Sequence, residues 1–119
     1  MQTTVFCRTK FEGTHCYPEA PEEVAYLRQP HRHIFGVCVE VEVFDNDREI
    51  EFIMLKHVVD KWIQGLRKAN GCYDCGAMSC EHMATMIMSY LKEKVKGDRR
   101  CWKVTVDEDG ENGAIVYGN

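Results

Sequence analysis

The chain has no apolar run approaching the roughly 18 residues that a membrane-spanning helix needs. Its opening segment, MQTTVFCRTK, has no basic region followed by an apolar stretch, so no signal peptide is expected. Positive charge is not in surplus either. Fifteen Lys and Arg stand against nineteen Asp and Glu, giving a formal charge of −4 and a pI near 5.7. A dedicated nucleic-acid binder usually shows a basic face, so that class is set aside. There are no internal repeats and no low-complexity segments, which excludes solenoids and linkers. What the chain has in quantity is cysteine, seven in 119 residues. An odd, unevenly spaced set without a secretion signal reads as reduced thiols, some of them simply small buried apolar residues. With 45% hydrophobic and 29% charged residues, the expectation is one soluble, cytoplasmic globular domain spanning residues 1–119. A chain of this length buries roughly two-thirds of its unfolded surface, enough for a core without disulfides.

Hydrophobic periodicity sets the order of elements. Thr3 to Phe11 alternates, with Val5, Cys7, Thr9 and Phe11 on one face, and predicts a strand. A loop punctuated by Pro18, Pro21 and Pro30, and containing Glu19, Glu22 and Glu23, should follow. From His31 to Phe44, residues Phe35, Val37, Val39, Val41 and Val43 share a face opposite Glu40 and Glu42, so a long one-sided strand is expected. Asp45-Asn46-Asp47 reads as a turn into a return strand ending near Phe52. Leu55, Val58, Val59, Trp62, Ile63 and Leu66 then recur at helical spacing, with Asn70-Gly71 as the helix stop. A cysteine-rich loop leads to Ser79, a good N-cap for a second helix with the stripe Ala84, Ile87, Met88, Leu91 and Val95, closed by Gly97. Cys101 to Val106 and Ala114 to Tyr117 form a final hairpin. The fold class implied is α+β: an antiparallel sheet with a helix pair on one face.

The sharpest chemical feature is His31-Arg32-His33 at the start of the long strand. Strand side chains two apart point the same way, so both imidazoles can reach one metal. His15 is in phase with Thr9 and Phe11 if the first strand extends that far, and strand pairing would bring all three histidines to one end of the sheet. Three histidines with an open fourth position is the arrangement of a catalytic zinc. Taken alone, a His-x-His pair is weak evidence, and without a third ligand it reads as two polar residues at the start of a strand. An acidic turn, Asp107, Glu108, Asp109 and Glu111, reads by itself as solvated surface.

Across nearly its whole length the sequence resembles the 6-pyruvoyltetrahydropterin and 6-carboxytetrahydropterin synthase family, which has the tunnelling fold. The family's Phe-x-x-x-His-x-x-Pro motif is matched by Phe11-Glu-Gly-Thr-His15-Cys-Tyr-Pro18, and its His-Gly-His zinc motif by His31-Arg32-His33. Glu51-Phe52-Ile-Met-Leu55-Lys56 stands for its Asp-Phe-x-x-Leu-Lys signature, and Met78-Ser79-Cys80-Glu81 for a Pro-Thr-x-Glu helix start. Val104-Thr-Val106-Asp-Glu108 matches the context of a pterin-anchoring glutamate, with Asp109 where the family has threonine and Tyr117 downstream. The resemblance implies Zn2+ held by His15, His31 and His33. It also implies a pterin ring edge gripped by Glu108, whose carboxylate can accept two charge-assisted hydrogen bonds. It further implies strands that assemble into a barrel on oligomerisation, as a homo-trimer or homo-hexamer.

Two family features are missing. The cysteine or glutamate four residues before the first His of the zinc motif is Leu27 here, and the Asp-His pair after the first helix falls on Arg67 and Lys68. Glu23 is the better substitute base, because Cys16, next to a ligand in extended backbone, should point away from the metal. A gap in the alignment could bring Cys72, Asp74 or Cys75 to the place of the pair, Cys72 acting as a thiol acid or base. Cys72, Cys75, Cys80 and His82 could hold a second metal, although residues two apart in a helical turn diverge. His57 and His82 otherwise read as helix surface, and Met83, Met86 and Met88 as core filler or subunit contact. The implied activity is that of a zinc-dependent lyase-type tetrahydropterin synthase. It would act on 7,8-dihydroneopterin triphosphate or a related pterin or purine, in tetrahydropterin, folate or queuosine-type biosynthesis. The alternative is a zinc- and pterin- or purine-binding module without turnover.

Overall fold

The computed structural model describes residues 1–97 and 99–119. Two long strands, β1 (Thr3–His15) and β2 (His31–Val43), pair antiparallel along their full lengths, from Thr3 opposite Val43 to His15 opposite His31. Alternation sorts their side chains as expected: Phe11, Phe35, Val37, Val39 and Val41 are buried, while Arg8, Lys10 and Glu40 lie on the other face. On that outer face Glu12 and Arg32, from paired strands, form an ion pair.

The connection between these strands is not a plain loop. Glu22–Arg28 forms a short 3-10 helix interrupted at Val24, and the Arg28 side chain ties it back by donating to the Ala20 carbonyl at 2.8 Å. The expected return strand after Val43 is also absent. Glu49 holds residues 44–50 as a loop, its Oε1 accepting from the Phe44 and Asp45 amides, while Arg100 pairs with its other oxygen. Arg48 takes a positive φ of 57°, which no strand tolerates. Glu51 then caps α1 (Phe52–Gln64) by accepting from the Ile53 and Met54 amides at 3.0 and 3.1 Å, a carboxylate at the positive end of a helix.

Asn70-Gly71 corrects a second expectation. Both residues have positive φ, 54° and 83°, but they form the turn of a hairpin between β3 (Arg67–Ala69) and β4 (Cys72–Asp74) rather than a helix stop. Gly65 closes α1 instead. Ser79 does cap α2 (Cys80–Lys94), its hydroxyl accepting from the His82 amide at 3.1 Å. The chain ends in the hairpin β5 (Trp102–Glu108) and β6 (Asn112–Gly118).

The sheet order is β3-β4-β1-β2-β5-β6, antiparallel except where β4 meets β1 in parallel. Helix α1 lies over β1, and α2 over β5 and β6. The core fills the space between, with Leu55, Val59 and Ile63 from α1 and Met83, Ile87 and Leu91 from α2 against the inner strand faces. Met88 is buried with them, whereas Met86, His57 and His82 are exposed. Among the described residues, no α-helix packs on the other sheet face. Among the described residues no helix is long and apolar enough to cross a membrane.

Candidate metal and ligand site

The register of β1 and β2 brings three imidazoles to one end of the sheet. His15 stands opposite His31, and His33 opposite Gly13, so alternation directs all three to the helix-covered face. Their ring centroids lie 4.6 to 5.4 Å apart, and one nitrogen from each falls within 4.8 Å of the others. Phe35, fully buried, forms the floor: its ring meets His15 edge-on at 5.1 Å and His33 at 5.7 Å. Gly13 packs closely beside it: a Cβ there would come within 3.2 Å of the Phe11 and Phe35 rings, which would have to give by a few tenths of an ångström.

Each imidazole is held from behind. Nδ1 of His15 lies 2.8 Å from the Met78 carbonyl, Nδ1 of His31 2.9 Å from the Gln29 carbonyl, and Nδ1 of His33 2.7 Å from Asp109 Oδ2. All three partners accept only, so each Nδ1 carries a proton, and in the neutral ring each Nε2 presents a lone pair. The buried Nε2 atoms of His15 and His33 have no hydrogen-bond partner. Three converging imidazole lone pairs with outward N–H groups anchored on oxygen fit a zinc ion. These residues therefore meet the chemical requirements of the metal centre.

Glu108 ends β5 opposite Phe35, on the same face as the histidines. Its carboxylate leans over them, Oε2 2.8 Å from His15 Nε2 and Oε1 3.6 Å from His33 Nε2, without hydrogen-bond geometry in either contact. Asp107 turns to the opposite face, where its carboxylate sits over Gly36 at 2.6 Å from a notional Cβ and accepts from the Gly110 amide. The Asp109 carboxyl is held below its ordinary pKa, first by the Ile34 amide and then by His33.

In front of the histidines opens a cleft of about 490 Å³. Its walls include His15, His31, Glu108, the start of α2 and Asn112 of β6. Leu27, on the 3-10 helix, is in the wall, so the position at which the resemblance places a proton carrier does face the site, with an apolar side chain. Glu23 is exposed on that helix and is not among the residues lining the cleft. Cys72 is buried on β4, its thiol directed to the Ala69 carbonyl, and it too lies outside the lining. Arg67 and Lys68 lie on β3.

Cys16 also lies in the wall: strand β1 stops at His15, and the Cys16 amide donates to the Gly76 carbonyl at 2.9 Å, beyond the β1–β2 ladder. Tyr17, Cys80 and Glu81 line it as well. Cys80 and Glu81 fall in the helix-start motif and Tyr17 in the first histidine motif, but none of the three was singled out for this cleft. Burial pushes the Cys80 thiol up to about 12 and Cys75 up to about 11, so both stay protonated. Among the described residues, the cysteine run does not gather into a second metal-ligating group.

The chain matches no family model and no curated protein. Solved structures do match. A catalytic-residue variant of Plasmodium vivax 6-pyruvoyltetrahydropterin synthase superposes with a TM-score of 0.73 at 16% identity, covering 100% of this chain and 99% of that one. The Plasmodium falciparum 6-pyruvoyl tetrahydropterin synthase gives 0.71 at 18% identity, covering 98% of each chain. The Caenorhabditis elegans enzyme gives 0.64 at 13%, covering 100% of this chain and 97% of that one. End to end, the chain therefore has the fold of the 6-pyruvoyltetrahydropterin synthases.

Proposed function

We propose that the chain is a cytoplasmic, zinc-dependent tetrahydropterin-synthase-like enzyme acting on 7,8-dihydroneopterin triphosphate or a closely related pterin or purine. The carrying observation is the set of three imidazoles pinned through Nδ1, with Nε2 atoms directed to one point beside a cleft. When bound, zinc supplies the Lewis acidity that makes a substrate hydroxyl easier to deprotonate. His15, His31 and His33 hold it; Glu108 grips the ring edge and sets the substrate side chain toward the histidines. Proton transfer falls to groups in the wall, of which Cys16 and Glu81 are at hand. Glu23 can serve only if the 3-10 helix shifts, and Cys72 only if β4 opens. Both outer strands, β3 and β6, leave an unpaired edge. Open edges favour closure by other copies of the chain, consistent with a trimeric or hexameric barrel.

A second reading has one observation in its favour. Glu108 lies 2.8 Å from His15 Nε2 and 3.6 Å from His33 Nε2, outside the three-histidine group, so a small shift of its side chain toward His31 would complete a four-ligand, closed site, which is how structural zinc is held. The chain would then be a binding module. Mass-spectrometric product analysis separates the readings. Zinc-loaded protein and 7,8-dihydroneopterin triphosphate should give a 6-pyruvoyl or 6-carboxy tetrahydropterin, absent with His31→Ala. Unchanged substrate over bound zinc would overturn the synthase assignment.

A further inference from the structure

We infer that Asp109 is a positioning residue that fixes the tautomer of His33 and so prepares its Nε2 for the metal. The inference rests on the zinc reading of the three histidines. His15 and His31 are anchored by main-chain carbonyls, which follow from the fold alone. Among the described residues, His33 is the one whose Nδ1 relies on a side chain. Asp109 is built for that contact. It takes a positive φ of 59°, a conformation aspartate tolerates better than most residues. Its amide donates to the Ile34 carbonyl at 2.8 Å, and its Oδ1 accepts from the Ile34 amide at 2.8 Å. With the backbone and one oxygen fixed on Ile34, the other oxygen is aimed at His33 Nδ1, 2.7 Å away. A carboxylate only accepts, so the ring proton must sit on Nδ1. Threonine, the family's residue here by resemblance, has a single hydroxyl that donates as well as accepts and cannot impose both bonds.

Asp109→Asn is the discriminating variant. If its amide oxygen keeps the Ile34 bond, its NH2 faces Nδ1, which must then accept. The proton moves to Nε2 and occupies the ligand position. Long-range 1H–15N correlation spectra of the metal-free protein should show His33 protonated on Nδ1 in the wild type and on Nε2 in Asp109→Asn. Zinc affinity by competition with a chelating dye should fall about 10–100-fold, while the melting temperature stays near wild type because the Ile34 bonds persist. A purely structural role would lower the melting temperature without moving the tautomer. Wild-type tautomer and affinity in Asp109→Asn would overturn the inference. If that variant does not fold, the wild-type spectrum decides, since protonation on Nε2 there overturns it equally. A tautomer change in a protein that binds no zinc even as wild type would uphold Asp109 and defeat the zinc reading instead.

Discussion

Phe35 joins the core to the site, and its truncation should be felt in both. The side chain is 0% exposed. It stacks on Phe11 with centroids 5.4 Å apart and planes at 26°, and makes T-shaped contacts with the rings of His15 and His33. Phe35→Ala forfeits about 2–3 kcal/mol of transfer free energy. The void adds about 24 cal/mol for each Å³ that does not collapse, bringing the total to about 3–5 kcal/mol. A domain of this size has about 5–15 kcal/mol in all. With a urea m-value of about 2 kcal/mol/M, the middle of the usual range, the denaturation midpoint should fall by roughly 1.5–2.5 M. Phe35→Leu keeps more of the volume and should cost roughly 1–2 kcal/mol. Because the histidines lose their floor, Phe35→Leu should also bind zinc more weakly, though less so than His31→Ala. A Phe35→Ala midpoint within about 0.5 M of wild type at unchanged slope would refute the packing argument.

Three further outcomes follow from other contacts. A Cβ at Gly113 would lie 2.2 Å from the Val106 carbonyl oxygen, so Gly113→Ala should cost at least the upper end of the ~1–3 kcal/mol overpacking range, read as a loss of thermal stability. Arg100 and the Phe44 and Asp45 amides hold the Glu49 carboxyl down at about 2 from an ordinary 4.5. A depressed carboxyl stabilises the fold above its unfolded pKa, and that contribution disappears as pH falls from 4.5 toward 2. The melting temperature should therefore drop through that window in the wild type and less steeply in Glu49→Gln. Finally, Glu108→Gln should weaken binding of a pterin such as neopterin, by titration calorimetry, at least tenfold (about 1.4 kcal/mol) while zinc stoichiometry is kept. Zinc loss in that variant would favour the closed-site reading.

Long, regular elements were legible because their burial is one-sided. The alternation of Phe35, Val37, Val39 and Val41 defined β2, and Ser79 with the Ala84-to-Leu91 stripe defined α2. The histidine triad could be anticipated because strand pairing at a fixed register dictates which side chains share a face, and Glu108 fell to that face by the same rule. Short elements governed by tertiary contacts were not legible. Asn70-Gly71 suits a helix stop and a hairpin turn equally, and only the partner strand decides between them. The return strand after Asp47 gave way to a loop held by Glu49, whose partner Arg100 is distant in sequence. Asp109 gave no signal in composition; its role depends on a turn that folds back onto His33.

The account turns on the three histidines acting as one metal centre. The most direct measurement is zinc content per chain by inductively coupled plasma mass spectrometry, after purification and dialysis against a weak chelator. Wild type, His31→Ala and His33→Ala would be compared, with His57→Ala as the exposed-histidine control. One zinc per chain in the wild type and the control, with almost none in the other two, is the predicted result. Equal zinc in all four proteins, or none in the wild type, would contradict the assignment.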